Sequence, residues 1–164
     1  MTLVVEPAQE TDFPAIAELT VTIYTSQGWA GPEYQVQLAD VAGRAAKSQL
    51  LVARSDGALV GSVALVLDGE FGEVTEGPDE AAFRMLVVDP AVRGRGIGEA
   101  LVRACLQRAA DAGKTAVVLS TDPRMHAAHR LYERLGFTRL PERDWSPLPG
   151  IDLMVYRLEL AQNA

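Results

Sequence analysis

Arg93-Gly-Arg-Gly-Ile-Gly98 places three glycines and two arginines in six consecutive positions. The run follows a short apolar stretch, Met85 to Val88, and a break at Asp89-Pro90; it leads into a helix at about Ile97. A glycine-rich turn from strand to helix presents backbone N–H groups at the positive end of a helix dipole, which suits a phosphate or pyrophosphate. The same glycines also suit a tight turn with close helix–strand packing, and on their own they leave both readings open. Two phosphate motifs fit poorly. A P-loop needs Lys then Ser or Thr after its last glycine, and here Glu99-Ala100 follows. A dinucleotide fingerprint needs an acidic residue about twenty positions on, after the next strand. Asp122 comes a little late for that, and the loop itself follows a long antiparallel stretch.

Other reactive side chains point to less chemistry. His126 and His129 are three apart on one predicted helix, a spacing that can share a metal, but no third ligand is in view. They read as surface histidines. Cys105, the sole cysteine, falls on the apolar stripe of its helix and reads as a small buried hydrophobe. Glu73, Glu76 and Asp144, in loops, either line a substrate cleft or are plain surface carboxylates, and Glu80 beside them reads the same way.

The elements that must position these residues are legible from periodicity. Leu3 to Pro7 reads as a strand. A helix from Phe13 to Thr25 has Thr11 or Asp12 as its cap and Pro14 in its first turn. A second helix runs from Glu33 to Ala46 with Val36, Val41 and Ala45 inward. Leu50–Arg54 and Leu59–Leu67 form a hairpin about Ser55-Asp-Gly57. Residues 68–78 read as a loop, and Ala82–Val88 as a strand. The helix Ile97–Ala112 carries the stripe Ile97, Leu101, Ala104, Cys105 and Ala109, and stops at Gly113. Ala116–Ser120 completes a strand–helix–strand unit, which implies a parallel pair. A helix Arg124–Leu135 ends at Gly136, a strand starts at Phe137–Leu140, residues 143–150 form a loop, and Ile151–Leu160 is the last strand. The expected class is α/β: a mixed central sheet of about seven strands flanked by about four helices, in a single domain over 1–164.

Two motifs together carry a resemblance. Arg93-x-x-Gly96-x-Gly98, after a strand ending Val88-Asp-Pro, is similar to the acyl-CoA motif of the GNAT superfamily of N-acyltransferases. Ala128-His-Arg-Leu-Tyr132-Glu-Arg-Leu-Gly136-Phe137 resembles that family's later helix, A-x-x-L-Y-x-x-x-G-F. They occur in the family's order and at its usual separation, and the order of elements is also the family's. The resemblance covers nearly the whole chain, with residues 12 to 48 matching in pattern only.

The resemblance implies acetyl-CoA as co-substrate and no metal. Its pyrophosphate would lie on the backbone amides of Gly94, Arg95, Gly96, Ile97, Gly98 and Glu99, and Arg93 and Arg95 would either add charge there or be solvated surface charges. The pantetheine arm would pair with Leu86, Val87 and Val88, where the sheet is splayed, and Ala128 joins the cofactor-binding set. Tyr132 would be the general acid that protonates the departing thiolate; without the motif around it, the residue reads as a half-buried tyrosine that anchors its helix by the ring. Two positions depart from the pattern. Met125 stands where many members have a cofactor-contacting asparagine, and about Ala82 stands where some have a glutamate base. The acceptor would be an amine on a small molecule or peptide, and Trp29 and Trp145, in loops on either side of its cleft, would either wall it or pack at a subunit contact. The resemblance also implies a homodimer.

The totals agree with that reading. The formal charge of −7 argues weakly against nucleic acid and accepts a cationic amine. No apolar run is long enough to span a bilayer, and no basic-then-apolar leader opens the sequence. One cysteine excludes an intramolecular disulfide and fits a cytoplasmic location. Two alternatives remain: a non-catalytic acyl-CoA binding or sensing domain, and a nucleotide-binding domain with another ligand.

Overall fold

The computed structural model describes residues 2–26, 32–68 and 75–160. These fall into two compact units, one within Met1–Leu65 and Met85–Ala104, the other within Val66–Arg84 and Cys105–Ala164. The strand Glu80–Val88 and the helix Ile97–Asp111 each contribute to both. No described helix is long and apolar enough to cross a membrane.

The first unit opens with β1 (Leu3–Pro7), which the proline ends as expected. A 3-10 turn, Glu10–Asp12, then leads into α1 (Phe13–Ser26). Asp12 does not cap α1. Its carboxylate closes the 3-10 turn by accepting from Gln9 N at 2.9 Å, and also takes Arg54 Nη2 at 2.8 Å. Those contacts hold its pKa below the ordinary value; the Arg54 hydrogen bond is the main cause, and burial works against it.

The single helix expected over 33–46 is two: α2 (Pro32–Ala39) and α3 (Val41–Lys47). Asp40 divides them and caps α3 by accepting from Gly43 N at 3.1 Å. The break moves the apolar stripe. Val36, expected inward, is 73% exposed, and Leu38 is buried instead.

Strands β2 (Gln49–Ser55) and β3 (Ala58–Val66) form the expected hairpin, pairing Ser55 with Ala58 across Asp56-Gly57. Those two residues have φ of 50° and 88°, the left-handed pair that a two-residue hairpin turn requires. Ile16, Val41, Leu50, Val52 and Ala64 form one core cluster of this unit, with Phe13 and Ala45 packed on it. Each buried aliphatic side chain there contributes roughly 1.5–3 kcal/mol.

Strand β4 (Glu80–Val88) holds an irregularity that its sequence does not announce. Met85 has φ +60°, a left-handed conformation costing about 1–3 kcal/mol for a residue with a side chain. The residue interrupts the pleat just before Leu86, Val87 and Val88.

The second unit is built on β5 (Ala116–Thr121), reached through α4 (Ile97–Asp111). Gly113, at φ +80°, ends α4, and Lys114 N returns to Ala109 O at 3.0 Å. Strands β4 and β5 are parallel, from Glu80↔Ala116 to Ala82↔Val118. That ladder spans three residues, and β4 runs on from Phe83 to Val88 beyond it. Helix α5 (His126–Arg134) follows, then the short β6 (Thr138–Arg139). Residues 145–148, expected as loop, form β7 (Trp145–Leu148), an antiparallel partner for β8 (Ile151–Glu159). Strand β8 also pairs with β5 over six positions and with β6 over two.

In hydrogen-bonding order the strands run β1-β2-β3-β4-β5-β8-β6, with β7 on β8. The mixed α/β class is the one expected. The added strand β7 and the division at Asp40 account for eight strands and five α-helices among the described residues.

Candidate active site

Asp89 starts the glycine turn by accepting from Ala91 N at 2.9 Å, which caps the 3-10 turn Pro90–Val92. The chain then passes through Gly94 and Gly96, at φ +80° and +78°. A Cβ at either would meet nothing within 4 Å, so glycine is needed there for conformation and not for lack of space. Both are exposed, as are Arg93 and Arg95. The first helical bond of α4 runs from Ala100 N to Gly96 O at 3.0 Å, so the amides of Ile97, Gly98 and Glu99 head the helix. Backbone N–H groups in alternating conformations at a helix start form the kind of cradle that takes an anion.

Ile97 and Leu101 anchor that helix, both essentially buried. The close approach they make depends on Gly61 of β3, which the sequence did not single out. A Cβ there would lie 3.0 Å from Leu101 Cδ1, 3.0 Å from Val87 O and 3.3 Å from Ile97 Cγ2. Leu86 and Val88 are half-buried, and Val87 between them is buried. Leu86 to Glu99 therefore belong to one continuous segment of the first unit.

Tyr132 lies in the second unit, 5% exposed, on α5. Three rings surround it: Phe83 at 5.8 Å, Phe137 at 5.8 Å and Tyr156 at 6.0 Å between centroids. The Gly-Phe pair explains itself here. Gly136, at φ +100°, ends the helix, Gly136 N bonds Glu133 O at 3.1 Å and Phe137 N bonds Tyr132 O at 3.0 Å. The reversal folds the Phe137 ring back on Tyr132. Ala128, one turn earlier, is half-buried. Met125 precedes the helix, makes no side-chain cap, and has its sulfur 3.9 Å from Thr121 Oγ1.

The carboxylates are engaged. Glu80, expected at the surface, is 9% exposed and binds Arg143 through both oxygens, at 2.9 and 3.0 Å. It also accepts from Glu76 N at 2.9 Å and Arg157 Nε at 3.3 Å. Burial pushes its pKa up, but the two arginines and the Glu76 amide outweigh it, so the net shift is downward. A carboxylate held this way is a poor proton acceptor. Glu76 pairs with Arg143 at 3.4 Å. Asp144 accepts two bonds from Arg139 at 2.8 Å and one from Val155 N at 2.9 Å, and the Arg139 contact lowers its pKa. Glu73 and Trp29 lie outside the described residues.

Ala82, at the position of the family's base, sits in a buried cluster with Val118 and Val155. Leu140 and Trp145 pack over that cluster, and Trp145 Nε1 donates to Ser120 Oγ at 2.8 Å. Trp145 is thus a strand residue fixed by its indole, not a loop residue. Cys105 is fully buried, and desolvation pushes its thiol pKa to about 12, so it is no nucleophile. His126 is exposed as expected, whereas His129 is buried at 9%. Among the described residues no group of three His, Cys, Asp or Glu side chains is placed to hold a metal.

Comparison with known proteins bears on the same segments. The chain is 38% identical over 124 residues to the human (Homo sapiens) N-acetylaspartate synthetase, an alignment covering 68% of this chain and 39% of that protein. It is 38% identical over 85 residues to a mycothiol acetyltransferase of Nocardiopsis dassonvillei, covering 48% and 26%. The chain thus spans well under half the length of the curated relatives it matches. Among solved structures, the PaiA N-acetyltransferase of Thermoplasma acidophilum, determined with coenzyme A, superposes with a TM-score of 0.75 at 16% identity over 97% of this chain and 99% of that one. The model of the Acetyltransferase (GNAT) family matches residues 13–137, a span holding both the glycine turn and Tyr132. The chain belongs to the GNAT acetyltransferase family.

Proposed function

We propose that this protein moves an acetyl group from acetyl-CoA to a primary amine by direct attack. The pyrophosphate rests on the amides of Gly94 to Glu99, with Arg93 and Arg95 beside it, and the pantetheine pairs with Leu86, Val87 and Val88 and lies near Ala128. The amine nitrogen forms a bond to the thioester carbonyl carbon. The C–S bond then breaks, Tyr132 gives its phenolic proton to the sulfur, the new amide loses its extra proton to water, and water returns a proton to the Tyr132 phenolate. With Ala82 sealed in an apolar cluster and Glu80 held by arginines, this chain deprotonates its acceptor through water and not through either position.

The observation that carries the reading is Tyr132, buried among Phe83, Phe137 and Tyr156 on the helix that the family motif defines. A ring box holds a phenol in one orientation, as a proton donor requires. Of the relatives above, one is named for acetyl transfer, mycothiol acetyltransferase, and one for an N-acetylated product, N-acetylaspartate synthetase. A cytoplasmic location and a homodimer belong to the same reading. The single buried cysteine supports the first, and the family supports the second, which sedimentation equilibrium checks.

The test follows thiol release from acetyl-CoA over a panel of amines. Tyr132→Phe should lower kcat about 100-fold while calorimetry shows coenzyme A binding unchanged. An unaltered kcat removes Tyr132 from the acid role. A second reading, a non-catalytic acyl-CoA sensor, draws on Met125 and Ala82, where two family side chains are replaced. It predicts tight coenzyme A binding with no transfer to any amine.

A further inference from the structure

Besides Tyr132, helix α5 buries one more polar ring. His129 is 9% exposed, and its Nε2 lies 3.0 Å from the Asp122 carbonyl oxygen. A carbonyl only accepts, so this contact is a hydrogen bond when Nε2 carries the proton. The same carbonyl accepts Met125 N at 3.0 Å. The Asp122 carboxylate takes Arg124 N and Nε at 2.9 Å each and Arg124 Nη2 at 2.8 Å. The turn between β5 and α5 is therefore closed upon Asp122, and His129 is the tie that comes from inside the helix.

That tie reaches the Tyr132 pocket by one step. The His129 ring lies 5.8 Å from the Tyr156 ring, tilted by 32°, and the Tyr132 ring lies 6.0 Å from the same Tyr156. His129 and Tyr132 are three residues apart, so they share a helix face and one aromatic wall. Tyr156 is itself held, its hydroxyl donating to Glu133 Oε1 at 3.3 Å and its ring lying under Arg139 at 5.6 Å.

We propose that His129 is a positioning residue. As the neutral Nε2–H tautomer it staples the β5–α5 turn to the helix and wedges Tyr156, and so sets where α5 holds the Tyr132 phenol. The proposal rests on the reading of Tyr132 as general acid. The surroundings favour the neutral ring. Burial depresses the imidazole pKa, the Asp122 carbonyl opposes this, His126 and Arg139 add to the depression, and Glu133 works against it. The Asp122 carboxylate, paired with Arg124 at 2.8 Å, also attracts a charged ring and so works against the depression.

Two variants separate the donor from the ring. His129→Phe keeps an aromatic on Tyr156 and loses the N–H; His129→Gln keeps an N–H donor and loses the ring. His129→Phe should lower kcat about tenfold, a loss in keeping with a slightly misplaced catalytic group, with the KM for acetyl-CoA nearly unchanged. His129→Gln should recover most of it. In a Tyr132→Phe background, His129→Phe should cost nothing further, because its effect passes through the phenol. A wild-type kcat in His129→Phe overturns the proposal. So does a loss of equal size with and without Tyr132, or a His129→Gln enzyme as slow as the phenylalanine variant. Two readouts need no turnover: a long-range proton–nitrogen spectrum, which should show Nε2 protonated, and Met125 amide exchange, which should speed up in His129→Phe alone. A protonated Nδ1 with bare Nε2, or exchange unmoved by the variant, rejects the staple whatever the activity. A wild-type protein that transfers to no amine, yet shows the Nε2–H signal and the exchange change, sinks the acetyltransferase reading and leaves the staple standing.

Discussion

Arg143 grips Glu80 with two parallel hydrogen bonds, Nη1 to Oε2 at 3.0 Å and Nη2 to Oε1 at 2.9 Å. Such fork-on-fork pairing is strong because geometry and charge act together. It joins the start of β4 to the 3-10 turn Pro141–Arg143, just ahead of Trp145 in β7. Glu80 thus serves the second unit as a strut.

Removing that strut should cost stability more than chemistry. Glu80→Gln takes from Arg143, whose side chain is 12% exposed, its two-pronged ion pair and leaves it the longer Glu76 contact at 3.4 Å. A loss of roughly 3 kcal/mol is expected from breaking one side of a sheltered ion pair. Measured at low temperature on folded protein, kcat should stay within about threefold, against the hundredfold or more expected of a lost base. Denaturant melts and initial rates on the same sample decide between the two.

Acid should act through the same carboxylates. The folded pKa of Glu80 lies below its ordinary 4.5, and that of Asp12 below 3.8. Each therefore contributes stability that is fully present above the unfolded value and is lost as pH falls through the folded value. The urea midpoint should fall steadily from pH 5 downward, and Glu80→Gln should flatten that slope. An unchanged slope in the variant assigns the acid sensitivity to other groups.

The hairpin at Asp56-Gly57, the stripe of α4 and the Gly136-Phe137 reversal were legible because each rests on local rules: positive φ, helical period, a glycine stop. The division at Asp40 was also written locally, since a Cβ at Gly43 would collide with the Asp40 carboxylate, but the run of apolar residues on either side hides it. Strand β7 was not legible, because four residues with a proline become a strand only through pairing with β8. Nor were Met85 and His129. Methionine gives no hint of a left-handed φ, and a histidine among polar neighbours gives no hint that Tyr156 will cover it. The donor end of the site lies in local patterns, whereas the burial that shapes the Tyr132 pocket is tertiary.

Two glycines should respond to alanine for opposite reasons. Gly61→Ala sets a methyl 3.0 Å from the Val87 carbonyl, which is backbone and cannot swing away. Overpacking of this kind costs about 1–3 kcal/mol, and α4 must shift to relieve it. Gly96→Ala meets no atom and suffers only the strain of φ +78°, about 1–2 kcal/mol. If the glycine turn cradles pyrophosphate, Gly96→Ala should weaken coenzyme A binding more than it lowers the melting point, and Gly61→Ala the reverse. Calorimetry beside thermal melts reads the contrast.

Cys105 should be silent in thiol chemistry. Its pKa of about 12 leaves almost no thiolate at pH 8, and the side chain is wholly buried. Ellman's reagent should therefore find no reactive thiol per native chain and one per chain in guanidinium. A fast native reaction would show that the α4 stripe opens readily. It would also require a correction in any assay that follows coenzyme A release by thiol colour.

Met125 offers the most informative gain of function. It sits at the N-cap of α5 and supplies no side-chain acceptor to the first turn. Asparagine at an N-cap accepts from an orphan N–H of the first turn and is worth about 1 kcal/mol over a non-capping residue. Met125→Asn should raise the melting temperature for that reason alone. It also restores the amide that many family members use to touch the cofactor, so the KM for acetyl-CoA should drop several-fold. The two effects are separable. Met125→Asp supplies the cap but a negative charge, so it should stabilise α5 equally while failing to lower the KM. If both variants stabilise and neither changes the KM, the residue before α5 has no part in holding the acetyl-CoA donor in this chain.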